Sequence, residues 1–170
     1  ELTERAIERG VRALVDADDA LALAVIAEDD AVDAKYLDVE QRIMEVLALQ
    51  TPVASDLRMV TTLLHTNLHL ERIADMAVNV ANIGRAVSGF PRSDRVLARL
   101  QEMGDLVRPM VRTAMEALAR RDADMALSLS RMDDPVDRLN MGMYQEVLAL
   151  QGDRRQLEWG LRMIVISRQI

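Results

Sequence analysis

The feature that most constrains the fold is an internal duplication of about 100 residues. Sliding the sequence along itself by 104 residues places apolar residues on apolar residues and aspartates on aspartates. The matched segments are Ala13-Leu14 with Ala117-Leu118, Asp18 with Asp122, Ala22-Leu23 with Ala126-Leu127, and 29–33 with 133–137. With three residues fewer in the second copy, residues 46–50 match 147–151. This predicts two copies of one structural unit, the first at residues 1–87 and the second at 95–170.

Each copy has the pattern of two helices followed by a long helix. Leu, Ala, Val and Met dominate the sequence and only four residues are aromatic, a composition that favours helices. The predicted breaks are Asp16–Asp19, Thr51-Pro52 with Thr51 capping the next helix, a loop at 88–94, Arg121-Asp122, and 151–153. We therefore predict an all-α protein, a tandem repeat of two three-helix bundles with long antiparallel helices.

Charge and composition exclude several classes of protein. The formal net charge of −7 argues against binding to nucleic acid or to an anionic membrane surface, since both need clustered cations. The absence of cysteine removes disulfides, thiolate metal sites and cysteine nucleophiles. No apolar run approaches the ~20 residues of a membrane span, and no signal peptide is visible, so we expect a cytoplasmic protein without membrane insertion.

Acidic residues interrupt the apolar stripes that should face the bundle interiors. Each interrupting acid is followed by a second acid four residues later, which places both carboxylates on one helix face. The pairs are Asp29 with Asp33, Glu71 with Asp75, and Asp133 with Asp137. Like charges on a buried seam are costly unless a cation compensates them. The pattern predicts cation sites, and in a chain without cysteine their ligands would be mainly oxygen atoms, which suit hard or borderline ions.

Three plainer interpretations of these acids stay open at this point. Acid pairs at this spacing arise by chance and then face solvent. Asp29 and Asp133 would suit the first turn of a helix, where the macrodipole favours negative charge. Arg72 could also neutralise the acids by pairing with Asp75 or Asp29.

The sequence offers no catalytic constellation. His65 and His69 have the i,i+4 spacing of zinc ligands, but the glutamate of the His-Glu-x-x-His motif is absent, so we predict solvated or interface histidines. No Glu-x-x-His pair, Ser–His–acid set or glycine-rich phosphate loop appears. The eleven methionines are typical of helical core packing, with an adaptable binding surface as the alternative. The chain is therefore predicted not to be an enzyme.

Two segments give the chain a family resemblance. Residues 49–58, Leu-Gln-Thr-Pro-Val-Ala-Ser-Asp-Leu-Arg, are followed by residues 70–81, Leu-Glu-Arg-Ile-Ala-Asp-Met-Ala-Val-Asn-Val-Ala. With the duplication, they make the whole chain resemble the PhoU family. That resemblance implies a regulator of phosphate uptake that represses the phosphate-starvation response. Its implied partners are the ATPase subunit of the phosphate ABC transporter and a phosphate-sensing histidine kinase.

The resemblance also implies metal clusters held by acidic motifs. Asp29, Asp33, Glu71 and Asp75 would form one site, and Asp133 and Asp137 would contribute to a second. The residues expected to support these motifs are Asp30, Arg58, Arg72, Asn79 and Asp134. The metal could be Fe, Zn, Mn, Mg or Ca, and a homodimer is expected. The alternatives are a metal store or metal-dependent helical enzyme, and a PhoU-like regulatory domain that serves another ion transporter.

The repeat register predicts that the second acidic site is incomplete in this chain. A shift of 100 residues matches Leu57 with Leu157 and Leu70 with Ile170, so the counterpart of Glu71 would be the next residue. We therefore expect a chain truncated at both ends, with apolar surface exposed where the last helix stops.

Overall fold

The computed structural model describes residues 1–150 and 154–170, and within those ranges it contains helices and no strand. The predicted all-α fold is confirmed. The helices are α1 (Leu2–Asp16), α2 (Asp19–Gln50), α3 (Ala54–Ala86), α4 (Asp94–Arg120), α5 (Ala123–Leu148) and α6 (Arg154–Ser167). The break predicted at 151–153 lies outside the described residues.

The turn between α1 and α2 recurs between α4 and α5, and the duplication predicts both. Ala17 and Arg121 end α1 and α4 in the left-handed conformation, with φ of 53° and 54°. The next residue in each case, Asp18 or Asp122, is the N-cap of the following helix. The Asp18 carboxylate accepts a hydrogen bond from the Leu21 amide at 2.9 Å, and the Asp122 carboxylate accepts one from the Met125 amide at 2.9 Å. Each aspartate satisfies an amide that a helix start otherwise leaves unpaired.

The start of α3 differs from the prediction. Thr51 does not cap α3 but ends α2, in a left-handed conformation with φ of 43°. Pro52 has no amide hydrogen with which to extend α2, which explains why that helix stops there. Val53 is extended and precedes α3 without a side-chain cap.

The helices pack in two sets of three that share one interface. In the first half α1, α2 and α3 contact one another, and in the second half α4, α5 and α6 do so. The halves meet where α1 packs on α4 and where α3 packs on α6. The main core cluster therefore combines Leu14, Val80 and Val87 from the first half with buried residues of the second, including Trp159. The division at residues 87 and 95 stays a prediction.

Polar contacts reinforce the interface between the halves. Arg108 pairs with Glu8 at 2.5 Å and Arg112 pairs with Glu4 at 2.6 Å, which ties α4 to α1. Arg92, in the segment that links α3 to α4, donates hydrogen bonds to the backbone carbonyls at the end of α1. These contacts hold α4, and the segment that links it to α3, against α1.

No helix in the described part of the chain is both long enough and apolar enough to cross a membrane.

Candidate functional site

The four acids of the first repeat lie together on the surface between α2 and α3. These helices pack side by side, so that Asp29 and Asp33 of α2 come close to Glu71 and Asp75 of α3. Asp33 is exposed and the other three are half-buried. We call these four residues the carboxylate cluster. The structure brings together the acids that the sequence assigned to one site, whereas their binding of metal stays a prediction.

Burial and mutual repulsion disfavour the charged forms of two acids in the carboxylate cluster, Glu71 and Asp29. Burial raises the pKa of Glu71, and the negative charges of Asp75, Asp33 and Asp29 raise it further, with a smaller opposing effect of Arg72. Burial likewise raises the pKa of Asp29, and Asp33 and Asp75 add to that effect. Both carboxylates are therefore held against repulsion that a cation would relieve.

Neighbouring arginines and lysines are paired with other acids. Arg5 and Arg9 of α1 both pair with Glu28, Arg5 at 3.1 Å. On the next turns of α2, Lys35 and Arg42 pair with Asp38 at 2.8 and 2.9 Å.

Arg72 forms no ion pair with Asp29 or Asp75 anywhere in the part of the chain that is described. The interpretation that Arg72 simply neutralises these acids is therefore wrong. The helix-start interpretation of Asp29 and Asp133 also fails, because each lies ten residues after the first residue of its helix, beyond the turn where the macrodipole acts.

The side chains of the cluster do not converge on one point. Across residues 1–150 and 154–170, no three carboxylate or imidazole groups lie close enough together to hold a single metal ion. The cluster is thus a set of neighbouring oxygen donors on two helices.

The acids of the second repeat lie apart from this cluster. Asp133, Asp134 and Asp137 are all exposed on α5, which packs on α4 and α6 rather than on α2 or α3. The prediction that Asp133 interrupts a buried stripe is wrong. No helix of the described chain covers that face of α5, whereas α3 covers the matching face of α2.

The other residues singled out from the sequence are on the surface. Arg58, Arg72, Asn79 and Asp30 are exposed. Among the described residues, none of these side chains forms a hydrogen bond with another residue of the acidic motifs. His65 and His69 are exposed as well, in agreement with the prediction that they are solvated or interface residues.

A polar contact next to the cluster was missed. The Asn67 side chain, only 9% exposed, donates a hydrogen bond to the Tyr36 carbonyl at 2.9 Å and links α3 to α2. Burial and the nearby carboxylates of Glu40 and Glu71 raise the pKa of the Tyr36 hydroxyl. The available signal was an asparagine within the apolar stripe of α3, since a buried amide requires a partner.

A second feature was also missed, a groove of about 800 Å³ on the opposite face of α3. Apolar side chains of α4 and α5 line it, and the first half of α3 forms its other wall. The α4 and α5 residues include Met110, Ala114, Met115, Ala117, Leu118, Ala126 and Leu129, and those of α3 include Arg58, Met59, Leu70 and Ile73. We call it the α4–α5 groove.

The comparisons with known proteins agree on one family. The model of the PhoU domain matches residues 1–84 and 100–170. A phosphate-specific transport system accessory protein PhoU homologue of Pseudomonas aeruginosa is 36% identical over 99% of this chain and 70% of its own length. A homologue with the same description from Pseudomonas putida is 32% identical over 99% of this chain and 66% of its own length. The chain therefore spans about two thirds of the length of these curated relatives.

Solved structures show the same fold. The crystal structure of PhoU from Pseudomonas aeruginosa matches 99% of this chain and 81% of its own, with a TM-score of 0.90 and 32% identity. The phosphate transport system regulatory protein PhoU from Streptococcus pneumoniae matches with a TM-score of 0.77 at 20% identity, which supports the fold alone.

Proposed function

The chain belongs to the PhoU family, and we propose that it regulates phosphate transport by binding to protein partners. The observation that carries this proposal is the alignment of 99% of the chain with relatives described as accessory proteins of the phosphate-specific transport system. The match extends over both repeats, so it involves the whole arrangement of helices and not one motif.

The partners that we propose are the ATPase subunit of the phosphate ABC transporter and a phosphate-sensing histidine kinase. In this scheme the protein acts in the cytoplasm as a homodimer and represses the phosphate-starvation response when phosphate is plentiful. It works by binding, without turnover of a substrate. A PhoU-like domain that serves another ion transporter is the second candidate, and pull-down of the transporter subunits distinguishes the two.

We further propose that the carboxylate cluster binds metal cations. Its donors are all oxygen atoms, which fits a hard cation, and the raised pKa values of Glu71 and Asp29 reflect repulsion that a cation would remove. Arg72 only partly offsets this repulsion, since it lowers the pKa of Glu71 but forms no ion pair with the cluster among the described residues. A bound cation would supply positive charge between α2 and α3.

A complementation experiment tests the regulatory proposal. In a bacterial strain that lacks its own PhoU and carries an alkaline phosphatase reporter of the phosphate-starvation response, we expect this chain to restore repression in high phosphate. Purified chain is expected to carry metal after growth with added Fe, Mn or Zn. Glu71→Ala combined with Asp75→Ala should remove that metal, whereas Glu102→Ala with Glu116→Ala, which removes two exposed carboxylates of α4, should not.

The outcomes separate the two proposals. A chain that is folded and abundant yet leaves the reporter fully active contradicts the regulatory function. Absence of metal from the wild-type chain under all three conditions contradicts the cation site. A variant that loses metal but still represses would show that the cation is not the regulatory signal.

A further inference from the structure

An exposed row of apolar side chains runs along the outer face of α6. Leu157, Leu161 and Val165 lie four residues apart, which places them on one side of the helix. They are 44%, 54% and 48% exposed, so no helix in the described part of the chain covers them. A continuation of α6 beyond Ile170 would run along the helix axis and leave the row open. The row is therefore a surface of α6 itself.

The neighbouring side of α5 widens the row to a surface of two helices. Met141, Tyr144 and Leu148 of α5 are also exposed. The Arg168 guanidinium of α6 lies over the Tyr144 ring, 5.7 Å from its centre, and donates a hydrogen bond to the Tyr144 hydroxyl at 2.5 Å. We call these three residues of α5 and the row on α6 the α5–α6 face. Met, Tyr and Arg are enriched at the centres of protein interfaces, and contiguous apolar patches mark contact sites.

The first repeat shows that the fold does not require an apolar row at these positions. With the shift of 100 residues between the repeats, the counterparts of Leu161 and Val165 in α3 are Thr61 and His65. All four residues are exposed, yet the pair in α6 is apolar and the pair in α3 is polar. The apolar character thus belongs to this surface and not to the repeat, which indicates contact with another molecule.

A pair of opposite charges borders the row on the side away from α5. Glu158 and Arg162 are exposed one turn apart and pair with each other at 3.4 Å, which stabilises a single helix only slightly. If two copies of α6 pack antiparallel about a two-fold axis near Leu161, Glu158 of each copy lies beside Arg162 of the other. This edge is therefore complementary to itself, which favours a second copy of the chain over an unrelated protein.

We propose that the α5–α6 face is the interface of a homodimer, in which α6 packs antiparallel on α6 of a second copy. Leu161 lies at the two-fold axis, and Leu157 of each copy contacts Val165 of the other. Residues four apart form the ridge with which two helices interlock at about −50°. The exposed residues of α5 add to the buried surface. This inference rests on the homodimer proposed above and specifies which surface forms it.

Sedimentation equilibrium of the purified chain tests the interface. We expect a monomer–dimer equilibrium that Leu157→Glu weakens at least tenfold, because dimerisation would bury the new carboxylate. The matched change is Leu57→Glu at the counterpart position in α3, where the leucine is equally exposed at 44%. It should leave the dimerisation constant within twofold. Glutamate is a good helix former and both positions are exposed, so far-UV circular dichroism should stay unchanged in both variants.

An exchange of charges tests the orientation of the two copies. Glu158→Arg alone and Arg162→Glu alone each place like charges across the two-fold axis, so each should weaken dimerisation. The double variant restores opposite charges and should recover most of the loss. Absence of that recovery would refute the antiparallel contact of α6 with α6.

The remaining outcomes separate the interface from the homodimer. A dimer that Leu157→Glu and Leu57→Glu weaken equally, or that neither variant affects, has its interface elsewhere, and the proposal is then wrong while the homodimer stands. A wild-type chain that stays monomeric at every soluble concentration contradicts both. The alkaline phosphatase reporter decides the regulatory function separately.

Discussion

Glu71 and Asp29 bind protons more tightly in the folded protein than in the unfolded chain, because burial and neighbouring carboxylates raise the pKa of both. A folded state that holds extra protons gains stability as the pH falls. The two acids therefore contribute most stability below their ordinary pKa values, which are 4.5 for Glu71 and 3.8 for Asp29. That contribution is lost as the pH rises through the raised values. At neutral pH, repulsion within the carboxylate cluster lowers the free energy of unfolding.

Removing the charges at neutral pH should stabilise the metal-free protein. Each like-charge neighbour on a helix face costs ~0.2–0.5 kcal/mol, so Asp29→Asn with Glu71→Gln should raise the free energy of unfolding by about 1 kcal/mol at pH 7. At pH 3 the wild-type acids are protonated, and the difference should disappear. Urea denaturation followed by circular dichroism, in buffer with a chelator, measures both values.

The exposed Glu102 provides the control, since Glu102→Gln should change the free energy of unfolding by less than ~0.5 kcal/mol at either pH. A double variant that is less stable than wild type at pH 7 would show that the four acids do not repel one another as described.

At the scale of single elements, the turns that follow α1 and α4 were predictable, the start of α3 was not, and the burial of helix faces was predictable only in part. A cap is decided within about four residues, so Asp18 and Asp122 could be recognised from their local sequence and from the duplication. Burial of a helix face depends on which other helix covers it. Asp29 is half-buried and Asp133 is exposed, although both have the same local pattern, because α3 lies over one and no described helix lies over the other. The α4–α5 groove was missed for the same reason.

The close contact between α1 and α3 depends on Gly10, whose role could not be recognised from the neighbouring sequence. Gly10→Ala would place a methyl group 2.9 Å from the Ala77 carbonyl oxygen, which forces the two helices apart. Overpacking of this kind costs ~1–3 kcal/mol, although alanine favours helices more than glycine does. We expect a lower midpoint in urea denaturation.

Gly89→Ala is the matched change, because nothing lies within 4 Å of a Cβ atom at that position and the backbone there is not left-handed. It should leave the midpoint unchanged or raise it slightly. Equal destabilisation by both substitutions would contradict the close approach of α1 to α3.

At the scale of the whole molecule, the two halves should unfold together. Their main core cluster is shared, and the pairs Arg108–Glu8 and Arg112–Glu4 bridge α4 and α1. Trp159 is buried in that cluster and reports on the second half, whereas far-UV circular dichroism reports on all helices. The two signals should give one coincident urea transition, as expected for a cooperative domain of this size. A Trp159 transition separated from the circular dichroism transition would show that the repeats are independent folding units.

One consequence follows from the position of α3, which has the carboxylate cluster on one face and the α4–α5 groove on the other. Glu71 and Ile73, one on each face, are two residues apart, and only the ~10 Å width of a helix separates the two surfaces. That width is close to the ~8 Å Debye length of physiological salt. A cation bound at the carboxylate cluster would therefore change part of the electrostatic potential at the groove, without any movement of the backbone. Higher ionic strength would shorten the Debye length and weaken this electrostatic coupling between the two faces.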